Sequence, residues 1–178
     1  SDDEDRVELL NEKSGIIGAD LRVGANVASA KPLRANLDLC SVGMKTIGSA
    51  FQISHEEALA LGLGTVPGLE RHIRPYFSGR DFVSETRGLW VVDFFGLEAD
   101  DLRQRFPAAY QHLLTKATPD RDQNRNAIFK RLWWVIGHPR QQFRTAVTGL
   151  PQYIVTVETS KHRMFSFVDA ATVPDSTL

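Results

Sequence analysis

The chain has 178 residues, 42% of them hydrophobic and 24% charged, a balance that suits one ordinary globular domain and excludes a disordered polymer, a collagen-like repeat or a coiled coil. The lone Cys40 excludes a disulfide framework or a multi-cysteine zinc site and points to a reducing, cytoplasmic setting, and no apolar run approaches the roughly 20 residues of a membrane-spanning helix. The net charge of −1 is unevenly spread: residues 1–12 carry six acids against Arg6, a net of −5, which leaves +4 for the remainder.

Residues 1–13, opening Ser1-Asp2-Asp3-Glu4-Asp5, read as an acidic flexible leader, and residues 14–178 as a single domain. The glycines at 15, 18 and 24 predict short strands and tight turns over 16–27, and Lys31-Pro32 predicts a turn, because a residue before proline is pushed out of the helical region. Residues 46–53 predict a strand. Ser54 and Glu57 have the spacing of a capping box that opens a helix, which ends in the loop holding Gly62, Gly64, Pro67 and Gly68. Residues 89–95, apolar except for Asp93, predict a buried strand. A short helix over 98–105 with acids in its first turn precedes a second one started by Pro107, where a missing amide donor is tolerated. The longest predicted helix covers 120–136, with Asp120 as its N-cap, and places Trp133 and Trp134 about 100° apart, so that at most one is well buried. A further helix over 140–147 ends at Gly149, and strands over 153–157 and 164–168 close the chain, joined by residues 158–163. The order of elements predicts an α+β fold, a mixed or antiparallel sheet with several short helices, rather than regular βαβ alternation.

Residues 123–157 contain no Asp or Glu, yet hold Arg125, Lys130, Arg131, Arg140 and Arg144 among aromatic residues. That bias reads either as a phosphate-facing surface or, more plainly, as a solvated basic helix face. Catalytic signatures are missing. There is no Gly-x-Ser-x-Gly elbow, no phosphate loop ending in Gly-Lys-Ser/Thr, and no pair of histidines at zinc spacing. Gly62-Leu63-Gly64 follows a predicted helix rather than a strand, so it reads as a helix exit instead of a nucleotide-binding turn. Pro119-Asp120 with Glu158 and Lys161 imitates a metal-dependent nuclease pattern, but the carboxylate and lysine stand three residues apart, which on a strand puts them on opposite faces.

Three collinear segments are more specific. The first is Ala30-Lys31-Pro32-Leu33-Arg34-Ala35-Asn36 running into Cys40-Ser41-Val42-Gly43-Met44-Lys45. The second is His72-Ile73-Arg74-Pro75-Tyr76-Phe77-Ser78-Gly79-Arg80-Asp81 followed by Leu89-Trp90-Val91-Val92-Asp93-Phe94-Phe95-Gly96-Leu97. The third runs from Leu150-Pro151-Gln152-Tyr153 through Ser160-Lys161-His162-Arg163-Met164-Phe165. Together with Phe106-Pro107-Ala108-Ala109-Tyr110, the turn at 119–122 and the tryptophan pair, they resemble the target recognition domain of MmeI-like type II restriction–modification enzymes, large single-chain class I SAM-dependent DNA methyltransferases. The likeness runs from about Leu21 to Leu178.

The resemblance implies a sequence-specific reader of double-stranded DNA that positions an adenine for N6 methylation by a separate catalytic domain of the same polypeptide. That domain would bind S-adenosylmethionine; no cofactor and no catalytic residue is expected in this chain, and the Asn-Pro-Pro-Tyr-type motif of the methylating part is absent. Arginine suits the O6/N7 edge of guanine and Asn or Gln the N6/N7 edge of adenine, while Lys and Arg meet phosphates. The candidate DNA-facing residues are therefore Lys31, Arg34, Asn36, Arg74, Ser78, Arg80, Arg125, Asn126, Lys130, Arg131, Arg140, Arg144, Lys161, His162 and Arg163. Asp81 is expected as the internal partner of Arg74 or Arg80. Two alternatives stand beside this reading: a protein-interaction domain that packs on a methyltransferase or restriction subunit through an exposed apolar patch around Trp133 and Trp134, and a metal-dependent nuclease domain.

Overall fold

Consecutive residues that are all apolar have no polar face to turn to water, so such a strand must be covered on both sides. In a computed structural model, which describes residues 12, 14–18, 21–24, 31, 34–36 and 39–178, the run around Val91 is that strand. Strand β3, Trp90–Val92, lies inside a four-stranded sheet of order β1-β3-β2-β6, with Val91 and Val92 fully buried. It pairs antiparallel with β1, Gln52–Ile53, and with β2, Ile73–Phe77, while β6, Val173–Pro174, joins β2 in parallel. Pro75, with no amide hydrogen to donate, sits one residue before the pairing with β6 begins at Tyr76. A separate two-stranded ladder, β4 over Gln152–Val155 and β5 over Ser166–Asp169, completes the strands. The fold is α+β with a mixed sheet and short helices.

The helices are α1 His55–Ala60, α2 Gly79–Val83, α3 Ala99–Arg105, α4 Pro107–Lys116, α5 Thr118–Asp122, α6 Ala127–Arg131 and α7 Gln141–Val147. Their apolar stripes close over the sheet: Leu102, Ala109 and Leu113 are fully buried in one core with Phe51, Ile73 and Phe94. No helix among the described residues is long and apolar enough to cross a membrane.

The chain divides into two compact units, Ser1–Cys40 and Ser41–Leu178. In the first, Ile17 and Val23 make an antiparallel bridge and Arg34–Asn36 forms a 3₁₀ turn. Most of the acidic stretch 1–13, residues 25–27 of the predicted strand region, and Ala30, Pro32 and Leu33 of the first motif lie outside the described residues. All the elements numbered above belong to the second unit.

Several elements depart from the sequence-based expectation. The strand over 46–53 shrinks to Gln52–Ile53, because Ile47 at φ 49° and Gly48 at φ 111° turn the backbone out of the extended region and Ser49–Phe51 coils into a 3₁₀ turn. The long helix over 120–136 is two short ones. Asn124 accepts a bond from the Asn126 amide and Asn126 from the Ile128 amide, and these side-chain bonds replace the helical ladder and restart the chain at Ala127. Asp120 is not an N-cap; it sits in the first turn of α5, whose cap position is Ala117. The tryptophans lie beyond α6, in a turn: Trp134 is buried and donates to the Leu97 carbonyl at 2.9 Å, while half-buried Trp133 packs edge-on against Tyr110.

Candidate nucleic-acid interface

A buried carboxylate must find positive partners, since an unpaired charge in the interior is prohibitively costly. Asp93, at the exit of β3, is 3% exposed and accepts the Phe95 amide at 3.3 Å. Its Oδ2 takes Arg144 Nη2 from α7 at 2.6 Å and Arg74 Nη2 from β2 at 3.5 Å, and each arginine side chain keeps 22% exposure. One carboxylate thus serves two guanidinium groups, and the cluster retains a net positive charge. Arg144 is fixed further by the Pro139 carbonyl at 2.7 Å, by Met44 Sδ, and by the Phe95 ring 4.9 Å beneath it. Burial pulls the Arg74 pKa down against the pull of Asp93, and its Nε is buried with no partner. Arg140, exposed and left-handed at φ 50°, directs its Nε to the Gly43 carbonyl, so Arg140 and Arg144 reach consecutive residues of one segment. That segment is tied to the stretch just before α7 by paired bonds between Lys45 and His138.

His72 backs the cluster. Its Nδ1 donates to the Asp93 carbonyl at 3.1 Å, and its ring stacks on Phe94 at 5.0 Å; burial lowers its pKa and favours the neutral ring.

The second group surrounds α2. Ser78 and Asp81 form a capping box in which Asp81 accepts from the Ser78 amide and hydroxyl, and Arg87 then grips the same carboxylate through Nε at 3.0 Å and Nη2 at 2.9 Å. These bonds, those of Arg87 foremost, hold the Asp81 carboxyl far below the usual range. The internal partner of Asp81 is therefore Arg87, not Arg74 or Arg80. Ser78 is buried and committed to the cap. Arg80 is exposed with no acidic partner among the described residues, and lines two clefts of about 270 Å³ each. One cleft adds Val83, Glu158 and Thr159; the other adds Gln52, Tyr76, Arg87 and Asp175. Tyr76 donates its hydroxyl to Asp175, and burial raises the phenol pKa.

The loop between β4 and β5 joins this group, because Gly79 donates to Thr177 Oγ1 at 2.8 Å and Glu158 to the Thr177 carbonyl at 2.9 Å. Lys161, His162 and Arg163 are exposed in that loop, with Arg163 donating to the Val157 carbonyl.

Arg125, Asn126, Lys130 and Arg131 form a third group, exposed on and around α6. No hydrogen bond or ion pair among the described residues links its cations to the other two. Of the predicted cations, Arg74, Arg140 and Arg144 come together, Arg80 shares a cleft with Glu158 and Thr159 at the start of the loop that carries residues 161–163, and no hydrogen bond or ion pair among the described residues joins the α6 cations to either group. Lys31 and Arg34 are exposed in the first unit, where Asn36 ends the 3₁₀ turn.

Sequence reasoning missed Arg87 and Arg121. The first is signalled by the Ser78-x-x-Asp81 spacing, which leaves a carboxylate in search of a cation. Arg121 is 2% exposed between the rings of Phe51 and Phe129, at 5.0 and 4.9 Å, and donates to the Val135 carbonyl. No group of three or more His, Cys, Asp or Glu among the described residues is arranged to hold a metal.

No protein-family model matches the chain, and no curated protein matches it. Among solved structures it is similar to the type IIL restriction-modification enzyme MmeI in complex with DNA, with a TM-score of 0.60 and 18% identity over 96% of this chain. That likeness is one of fold, and the chain spans 23% of the length of that enzyme chain.

Proposed function

We propose that the chain is a sequence-specific DNA recognition domain of an adenine-N6 DNA methyltransferase or type II restriction–modification enzyme, which positions the target base for a catalytic domain elsewhere in the parent polypeptide. The observation that carries this reading is the fold likeness: nearly the whole chain superposes on about a quarter of a restriction–modification enzyme solved with DNA, as a module would. The side chains support it. Arg80, Arg125, Lys130, Arg131 and Lys161 are exposed without acidic partners among the described residues, as phosphate contacts require, and Asp93 preorganises two more arginines.

In this reading S-adenosylmethionine is bound by the catalytic partner domain. Gly62 and Gly64 follow α1 instead of joining a strand to a helix, so this glycine pair is not a nucleotide-binding turn. For a nuclease reading, no group of three or more His, Cys, Asp or Glu among the described residues is arranged to hold a metal.

The test is selection from random duplex DNA at about 50 and 200 mM salt, with sequencing of the bound fraction. The expected result is one enriched motif, with affinity falling on the order of 100-fold across that range for about four phosphate contacts. Absence of binding by both this chain and a parent protein containing it would overturn the reading.

A further inference from the structure

In an antiparallel ladder, alternate residues face opposite sides, so one face of a two-stranded ribbon can be packed while the other meets solvent. On the packed face of the β4–β5 ribbon, Val155 is buried and Tyr153 lies edge-on to Phe143 at 5.5 Å, its hydroxyl donating to the Thr172 carbonyl. On the other face, Ile154 and Phe167 are direct cross-strand partners, 59% and 69% exposed. Phe165, two residues earlier, is 68% exposed and Met164 47%. The only other pair on this face is polar, Gln152 with Asp169. Large apolar side chains concentrated at one end of an open ribbon mark a contact surface.

What covers it is indicated by the charges beside it. Residues 159–168 contain no acid, but hold Lys161, His162 and Arg163, all exposed, directly before the aromatic residues. Cations next to exposed rings match a polyanion whose units carry flat π faces; the cores of protein interfaces are instead depleted in lysine. Aromatic rings meet a base face only where the base has left the stack.

We propose that this end of the ribbon is a base-stacking surface, on which Phe165 and Phe167, with Ile154 across the ladder, cover unstacked nucleobases while Lys161, His162 and Arg163 hold the adjoining phosphates. The proposal rests on the DNA reading above and adds the place and the mode of contact. It makes the ribbon a wedge that senses unstacking, in addition to the groove contacts of the exposed arginines.

The test compares the full chain with F165A, F167A and the double variant K161Q/R163Q. The probes are oligo(dT) and a mixed-sequence duplex with 2-aminopurine at a central mismatch. Because the rings are exposed, F165A and F167A are expected to keep the wild-type unfolding midpoint, to bind both probes about 5- to 30-fold more weakly, and to lose 2-aminopurine quenching. K161Q/R163Q is expected to lower the salt slope by about 1.8 for duplex. Phenylalanine variants that bind and quench like wild type would overturn the stacking surface while leaving the DNA reading intact. Variants that change only self-association would overturn it in favour of a protein-docking face. Failure of the wild-type chain and its parent to bind either probe would overturn both.

Discussion

Asp81 and Asp93 are both buried acids, and they do different work. Asp81 is a local fastener: its partners Ser78 and Arg87 lie within a few residues, and together they pin α2 and the loop after it. Asp81→Asn keeps a cap acceptor but leaves Arg87 without its charge. Because the Arg87 side chain is 35% exposed, water screens the loss, and the expected cost is about 1–2 kcal/mol in a urea titration. The folded-state pKa of Asp81 lies below its ordinary 3.8, so its contribution is complete above about pH 4 and is lost as the pH falls further. D81N should flatten that acid limb. His72 gives a second limb by a different cause. Burial lowers its pKa from 6.5, the unfolded chain takes up the proton more readily, and stability should decline as the pH drops below 6.5. Urea midpoints at pH 7.5 and 5.5 measure this, and His72→Phe, which keeps the stacking on Phe94, should reduce the difference between them.

Elements whose signal is local were legible in the sequence. The Ser54–Glu57 capping box forms as spaced, Pro107 starts α4, and the apolar run at Val91 is an inner strand. Elements decided by distant partners were not. Strand β6 is two residues long and exists because Tyr76 and Phe77 offer it an edge, which nothing near residue 173 announces. The long helix failed for a nearer reason: Asn124 and Asn126 bond to the backbone ahead of them, and hydrophobic spacing alone does not register that competition. The β6 end of the sheet also depends on a close approach. A Cβ at Gly43 would stand 2.2 Å from the Asp175 carbonyl oxygen and 2.6 Å from that of Pro174, both backbone atoms that cannot swing aside. Gly43→Ala should therefore cost about 1–3 kcal/mol and expose the Met44 amide, now bonded to the Pro174 carbonyl, to faster hydrogen exchange.

Over the whole molecule, the sequence named the cations but not their availability. Arg74 and Arg144 look as free as Arg80 in a list of residues; only the fold shows that Asp93 engages both, because its place between β2 and α7 is set by tertiary packing. Exposed cations remain in groups that no hydrogen bond or ion pair joins among the described residues, notably Arg140 beside Gly43 and Lys130 on α6. If both groups meet one duplex, each cation displaces its own counterions, and the effects add in the logarithmic salt dependence. Arg140→Gln and Lys130→Gln should each lower the slope of log K against log salt by about 0.9, and the double variant by about 1.8; the unfolding midpoint is expected to hold for Lys130→Gln, which breaks no ion pair among the described residues, and to fall slightly for Arg140→Gln, which loses the Nε bond to the Gly43 carbonyl. A salt titration of the four proteins against one duplex decides the extent of the interface. An additive double variant places α6 and the α7 entrance on the same DNA. A Lys130 variant with the parental slope removes α6 from the contact and confines it to the faces around Asp93 and α2.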